Sequence, residues 1–596
     1  MIPESYYTER LAVLTAEHKK LSNKKSVFGI LRFGSIAALI AAFYLLWSFG
    51  WIYVVIAAIV LLFIFVQLIY KDLANKAAIE HLAHLIQINK DELTAITSGY
   101  YHFGDGASLQ PKEHYYANDM DLLGHASLFQ FLNRTTSQMG ASAMADWLLA
   151  PATTEIITER QTAVKELCDK PEWRQKLQAF GKEKTITHRT QSRLQSWLAQ
   201  PDSFSGFKAW QWLRYVLPAI MLMVSAAAWL DLVSMNIFYG TLFIFAIIAF
   251  QINKYVGPVH EQLSKMVDEL DALSQSIGAI EEERFSSGLL ISMQNNFTAE
   301  DGNASKKLKQ LKRILDKLDL RYNIVLSAPL NLWLLWNLQQ MLDLEKWKKN
   351  NTTFISNWFS VLGEYEALNS FANTKFNNPE WAFPLIAENH FSIEATELGH
   401  PLINAGKRVD NFINIHQRGE VMLVTGSNMA GKSTYLRSVG INTILAMAGA
   451  PVCARYFSIS PVQVISSMRI ADNLEESTST FYAELKKLKT VIDKVNAGEK
   501  VFVLLDEILR GTNSLDRHTG SVALVKQLIK QRTAAIIATH DIALAELQKE
   551  YPDNILNYHF DVQVNNEELY FDYKLKPGVC QSLNASILMK KIGIEL

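Results

Sequence analysis

Apolar and polar positions divide this chain into stretches of very different texture. Residues 33–70 contain no charged side chain, and the run breaks near Ser48-Phe49-Gly50 into two halves. Each half is roughly 17–20 residues long, enough for a helix to cross a bilayer. Residues 215–252 repeat the arrangement, with a break at 231–236 that holds Asp231, and Pro218 in the first half. Two helical hairpins, four spans in all, are predicted. Helices of a soluble core rarely lack polar residues on every face, which sets residues 33–70 apart most clearly. A cleaved signal peptide does not fit: the run starts late, is too long and is followed by a second span.

The remaining pattern is mostly helical at first. Residues 1–27 read as a short amphipathic helix feeding the first hairpin, and 72–98 as a polar helix. Residues 100–116, rich in Gly, Tyr and His, read as a loop. From 119 to 181 the period is helical, with small residues at 140–143. Residues 259–320 read as long helices. There Leu308, Leu311, Leu315 and Leu318 form a coiled-coil-like stripe. Lys306, Lys307, Lys309, Lys312, Arg313 and Lys317 surround it and read as a solvated face; phosphate contact is the alternative. Residues 325–380 are helical and rich in aromatics. From residue 400 strands alternate with helices, the pattern of a parallel α/β sheet. The predicted organisation is therefore residues 1–98 with the first hairpin (33–70), a linker at 99–118, a helical region at 119–385 interrupted by the second hairpin (215–252), and an α/β domain at 386–596.

Composition changes this picture little. The 596 residues carry a net charge of −1, so no global basic field argues for nucleic acid. Cys168, Cys453 and Cys580 are far apart, without metal-ligand spacing, and suit a reducing compartment. Charge placement adds an orientation. Lys19, Lys20, Lys24, Lys25 and Arg32 precede the first span, Lys71 and Lys76 follow the second, Lys208 and Arg214 precede the third, and Lys254 follows the fourth. Neither hairpin tip has a Lys or Arg. An integral inner (plasma) membrane protein with cytoplasmic termini is expected.

The chemistry lies in the α/β part. Residues 426–433 read Gly-Ser-Asn-Met-Ala-Gly-Lys-Ser, a complete G-x-x-x-x-G-K-[ST] phosphate-binding loop. An apolar run at 421–424 precedes it and a helical pattern follows at 434–446, giving backbone N–H groups and a helix N-terminus aimed at an anion. Gly426, Ser427, Asn428, Met429, Ala430, Gly431, Lys432, Ser433 and Thr434 are the candidate nucleotide-binding residues. Lys432 would reach the β- and γ-phosphates of ATP, and the Ser433 hydroxyl would ligate Mg²⁺. The apolar run 501–505 ends in Asp506-Glu507, placing Asp506 at the metal and Glu507 at the attacking water. A further strand at 534–538 leads to His540, a candidate γ-phosphate contact. Between them, 477–484 reads Ser-Thr-Ser-Thr-Phe-Tyr-Ala-Glu, with Glu484 placed to cap the start of a helix.

Taken together, T-G-S-N-M-A-G-K-S-T-Y-L-R, S-T-S-T-F-Y-A-E, L-L-D-E-I-L-R-G-T-N and A-T-H resemble the MutS ATPase domain in order and spacing. Asp121-Leu-Leu-Gly, 127–140 and Trp147-Leu-Leu-Ala-Pro resemble the start of the MutS core domain; His400-Pro401-Leu402 and 578–594 resemble segments at either end of the ATPase domain. The resemblance covers roughly 119–200 and 255–596. It implies an ABC-type ATPase domain, an all-α core and lever region, and a homodimer in which Ser479 reaches the γ-phosphate bound by the other subunit. It also implies DNA, mismatched or branched, as a ligand.

This chain departs from the family in several places. Ser427 and Ala430 replace a proline and a glycine, Ser477 replaces a glycine, and Leu509 replaces the glycine after Asp-Glu-Ile. These changes bear on hydrolysis rate more than on ATP binding. The adenine-stacking aromatic would fall near Arg408 or Val409. A membrane hairpin stands where the mismatch-recognition domain is expected, no connector domain fits between 70 and 119, and ending at Leu596 leaves no room for an appended nuclease or helix-turn-helix. Two further functions compete: an ATP-driven membrane machine, and a regulatory scaffold acting on a membrane or protein partner without DNA.

Overall fold

A computed structural model describes residues 2–204, 206, 208–299, 302–388, 391–427, 430–468, 480–565 and 568–580. The chain opens with two long antiparallel helices, α1 (Pro3–Leu46) and α2 (Trp51–Thr97). They meet at a tight turn in which Gly50 takes a φ of 120°. α1 runs unbroken through the segment expected to form a separate amphipathic helix, because no proline or turn sequence interrupts it. At 44 and 47 residues the two helices are each about 65–70 Å long.

A helical region follows: α3 (Leu128–Leu132), α4 (Gln138–Leu149), α5 (Thr154–Cys168), α6 (Pro171–Glu183) and α7 (His188–Ala199). The second hairpin is α8 (Lys208–Trp229) and α9 (Met235–Ser264). After it come α10 (Val267–Glu282), α11 (Gly288–Asn295), α12 (Ala304–Asp319), α13 (Ile324–Leu334), α14 (Trp336–Asn351) and α15 (Ile355–Asn377). A two-residue antiparallel ribbon, β1 (Thr298–Ala299) with β2 (Gly302–Asn303), interrupts what was expected to be all helix. The α12 leucine stripe is buried and most of its lysines are solvated. Lys307 differs: it is buried with its ammonium over the Phe354 ring.

Among the described residues four helices are long and apolar enough to cross a membrane, and they are α1, α2, α8 and α9. Their apolar stretches stay largely unburied by protein; Phe33, Phe43, Ile59, Phe63, Phe243 and Phe250 are all exposed.

The α/β part contains two sheets. One has strand order β12-β11-β6-β10-β9-β8, built from β6 (Val421–Thr425), β8 (Gln463–Ser467), β9 (Val501–Asp506), β10 (Ala534–Thr539), β11 (Ile555–Asn565) and β12 (Glu568–Pro577). All its pairs are parallel except β11 with β12. Its central strands are buried on both faces: Val421 and Leu423 of β6 face one cluster, Met422 and Val424 the other. That explains why they read as continuous apolar runs instead of alternating. Helix α16 (Lys432–Ala448) packs on one face, α17 (Thr480–Asn496) and α18 (Ser514–Lys530) on the other. The second, four-stranded sheet is mostly antiparallel and was not anticipated. It comprises β3 (Leu385–Ile386), β4 (Ile393–Leu398), β5 (Asn411–Ile415) and β7 (Tyr456–Ile459), in the order β3-β7-β4-β5.

Candidate nucleotide-binding site

The phosphate loop leaves the C-terminal end of β6 and enters α16. Gly426 has a φ of 147°, and a Cβ there would stand 2.8 Å from the Phe560 carbonyl oxygen, so no other residue fits without displacing β11. Gly431, at φ 108°, caps the helix. Ala430 is buried, while Ser433 and Thr434 are exposed on the first turn of α16. Asn428 and Met429 lie outside the described residues, as does Ser479.

Lys432 is buried, and its Nζ donates to the carbonyls of Gly426 (2.8 Å) and Ser427 (2.9 Å). Burial lowers its pKa from the ordinary lysine value, against the pull of the nearby Glu507 and Asp506 carboxylates. Asp506 ends β9. Burial raises its carboxyl, opposed by a hydrogen bond from the Ser433 side chain. Its Oδ1 is buried without a hydrogen-bond partner. An unpaired carboxylate oxygen beside a serine hydroxyl is a donor set that a hard divalent cation fits.

Glu507 follows in a left-handed conformation, φ 48°. Its carboxylate lies 2.9 Å from His540 Nε2 and 3.0 Å from Arg510 Nε. The hydrogen bond from His540 chiefly holds it below the usual glutamate range. His540 Nε2 is also 3.3 Å from Lys432 Nζ. One ring nitrogen cannot donate to a carboxylate and accept from an ammonium at once. The shorter contact assigns its proton to the Glu507 bond, and Lys432 is served by the two carbonyls.

Three elements thus bring Lys432, Ser433, Asp506, Glu507 and His540 together. Lys432, Ser433 and Glu507 border a cleft with a volume of about 390 Å³, within the range of small-molecule sites; Asp506 stands behind it through its hydrogen bond with Ser433, and His540 through its contact with Glu507. Arg408, Val409, His400 and Asn411 line the cleft, and so do Phe560 and Tyr573. The last two supply aromatic surface absent at 408–409. They come from the β11–β12 hairpin, well away from any recognised motif.

Glu484 has a role the sequence reading did not include. Its carboxylate is buried and accepts the backbone N–H groups of Leu509 and Arg510 (3.2 Å for the latter), while the residues just before α17, which a cap would serve, lie outside the described residues. Leu509, where the family has glycine, is held at φ 59°. A non-glycine residue in this region costs about 1 kcal/mol, so the Glu484 clasp holds a strained turn next to Glu507.

The chain matches MutS domain III over residues 112–327 and MutS domain V over residues 422–591. It belongs to the MutS family. The MutS protein homolog 4 of Homo sapiens is 32% identical over 204 residues, 33% of this chain and 22% of that protein. The DNA mismatch repair protein MutS of Methanosarcina mazei is 37% identical over 187 residues, 30% of this chain and 20% of its own. The DNA mismatch repair protein MSH4 of Arabidopsis thaliana is 30% identical over 237 residues, 38% of this chain and 29% of its own. The chain therefore spans less than a third of the length of these relatives. The phosphate loop, the Asp506-Glu507 strand end and His540 all fall inside the domain V match.

Proposed function

We propose that this chain is a membrane-anchored MutS-like ATPase that closes as a homodimer on ATP and opens on hydrolysis, with DNA as its ligand. The meeting of Lys432, Ser433 and Glu507 at one cleft, with Asp506 bonded to Ser433 and His540 to Glu507, carries the proposal. The Lys432 ammonium exchanges its loop carbonyls for the β- and γ-phosphate oxygens. Ser433 and Asp506 would hold Mg²⁺, which would supply neutralisation of phosphate charge. Glu507, kept ionised by His540, orients the attacking water and takes its proton. Ser479 of one subunit completes the site of the other, so ATP favours the closed pair.

In this reading the protein lies in the inner (plasma) membrane with its termini and ATPase domain in the cytoplasm, where ATP is available; the length and apolar character of α1, α2, α8 and α9 support it. The matches to MutS domains support DNA, including mismatched or branched forms, as the ligand. A second reading, an ATP-driven machine or scaffold acting on a membrane or protein partner without DNA, is favoured by one observation: α9 shares its core with the helical body.

Glu507→Gln should lower steady-state hydrolysis roughly 10²–10⁴-fold and accumulate an ATP-bound dimer. Unchanged turnover would remove Glu507 from its role. The detergent-solubilised protein should bind duplex or branched DNA with strong salt dependence. No binding at low salt with either ADP or ATP would leave the second reading standing.

A further inference from the structure

Helix α13 was expected to belong to the soluble helical region, and its surroundings place it elsewhere. Its eleven residues, Ile-Val-Leu-Ser-Ala-Pro-Leu-Asn-Leu-Trp-Leu, carry no charge. Val325 is 76% exposed and Leu326 47%. The segment leaves and rejoins the second hairpin at neighbouring levels. Asp319, just before it, meets His260 of α9 at 2.7 Å. Asn337, just after it, meets Asn253 of α9 at 3.3 Å, and Gln339 accepts from Arg214 of α8 at 2.8 Å. In between, the Trp333 indole N–H donates to Ser225 Oγ at 3.0 Å. Ser225 lies about 16 Å further along α8 than Arg214, on the way to the hairpin tip.

The excursion therefore rises from a polar level into the apolar zone of α8 and α9, then turns back at Leu335, a left-handed residue (φ 48°). Both ends are internally satisfied, as a low-dielectric setting demands. The Asn323 side chain accepts from the N–H groups of Val325 and Leu326, and Asn331 Oδ1 accepts from Asn337 N. Tyr322 and Trp336 flank it, residues favoured at a membrane–water boundary. At about 16 Å the helix is too short to cross a hydrocarbon core of about 30 Å. Between α12 and α14, the helices on either side of it in the chain, a cleft of about 360 Å³ is bordered by Arg313, Lys317, Lys346 and Asn350, with Asp343 as its one acid.

We propose that α13 is a re-entrant element seated in the cytoplasmic leaflet, continuous with α8 and α9, and that Arg313, Lys317 and Lys346 meet the phosphates of anionic lipid beside it. This rests on the membrane reading of the hairpins, and the test separates the two. An environment-sensitive fluorophore is attached at Val325→Cys, with Leu326→Cys as a second site in α13, Phe243→Cys in the α9 span and Lys309→Cys as a water-exposed reference. Cys453 and Cys580 are buried and Cys168 is partly so, which makes the parent chain the labelling blank. The full chain is reconstituted into phosphatidylethanolamine–phosphatidylglycerol vesicles and quenched with acyl-brominated lipid or aqueous iodide. Probes at 325 and 326 should lose iodide quenching and gain lipid quenching, as at 243, with 309 showing the reverse. Iodide quenching at 325 and 326 with lipid quenching at 243 overturns the α13 proposal alone; iodide quenching at all sites overturns the membrane reading. A probe at Gln310→Cys, in the basic cleft, should be shielded more by phosphatidylglycerol than by phosphatidylcholine vesicles. Shielding by duplex DNA without any effect of anionic lipid would assign that cleft to nucleic acid and overturn the headgroup contact.

Discussion

The two apolar hairpins are attached to the protein in opposite ways. In the second, Met221, Phe245, Ile252, Val256 and Leu263 belong to the same buried cluster as the helical body and one face of the large sheet. The first has a small cluster of its own: Leu14, Leu82, Leu85, Ile88 and Ala179. Tyr6 and Tyr7 also pack edge-on against Phe376, and several further links are polar and buried. Glu92 of α2 pairs with Arg134 and accepts from Asn377 at 2.9 Å; Tyr7 of α1 donates to Asn377 at 2.8 Å; Asn89 meets Gln175 at 3.2 Å. Apolar packing is tolerant of small shifts, whereas a buried ion pair has one geometry. The second hairpin is thus a piece of the body, and the first is a separate unit clamped in fixed register.

The largest expected contrast comes from deletion. Replacing residues 33–70 by a short polar turn should leave a body that folds and binds ATP, with α1 and α2 still docked; replacing 215–252 should abolish cooperative folding. Circular dichroism melts and nucleotide binding of the two variants decide it, and equal outcomes would erase the distinction.

Single substitutions sharpen it. Glu92→Ala strands Arg134 and should cost about 3–5 kcal/mol, confined to the first hairpin, while Leu263→Ala should cost about 2–5 kcal/mol spread over the whole body. Hydrogen exchange resolves them: the first should loosen α1 and α2 alone, the second the helical region and sheet together.

A pH series probes the same clamp. Burial pushes the Glu92 carboxyl up, but the Arg134 charge and hydrogen bonds outweigh it and leave the group below its ordinary value of 4.5. A depressed carboxyl contributes stability fully above the unfolded value and loses it as pH falls through the folded one. Docking of the first hairpin should therefore weaken below about pH 4.5, and Glu92→Gln should flatten that acid limb. Leu263→Ala should leave it in place.

The smallest effect tests a part that neither hairpin touches. Leu509→Gly should relieve about 1 kcal/mol of backbone strain, but it empties a buried leucine position in the core, a loss that outweighs the relief; the melting temperature of the ATPase domain should fall while hydrogen exchange in α1, α2, α8 and α9 stays unchanged. A rise in melting temperature would mean that Leu509 costs more in conformation than it contributes by packing.

What could be read from the sequence follows the range of each interaction. The phosphate loop, Asp506-Glu507 and the hairpins are local patterns, each complete within one element or turn. The clasp made by Glu484 was not foreseen because its partners are backbone N–H groups 25 and 26 residues away, which carry no side-chain signature. Glu92 and Arg134 are separated by 42 residues, and nothing in either neighbourhood marks the pair. Phe560 and Tyr573 reach the cleft only because β11 lies beside β6. The eleven uncharged residues of α13 suit a core helix as well as a membrane one, and the sequence alone does not separate the two. The four-stranded sheet escaped notice because β3 has only two residues and β7 four, too short to show a period.

The length of α1 has one more consequence. Between the apolar stretch and Tyr7, which docks on α15, lie about 26 residues of helix, close to 40 Å. Under the membrane and dimer reading proposed above, every copy carries its nucleotide cleft at one height and in one orientation over the bilayer. Two copies then meet by lateral diffusion, already facing compatible ways, and the number of molecules per unit of membrane area, more than the bulk concentration, sets how often the cleft of one finds the partner that completes it.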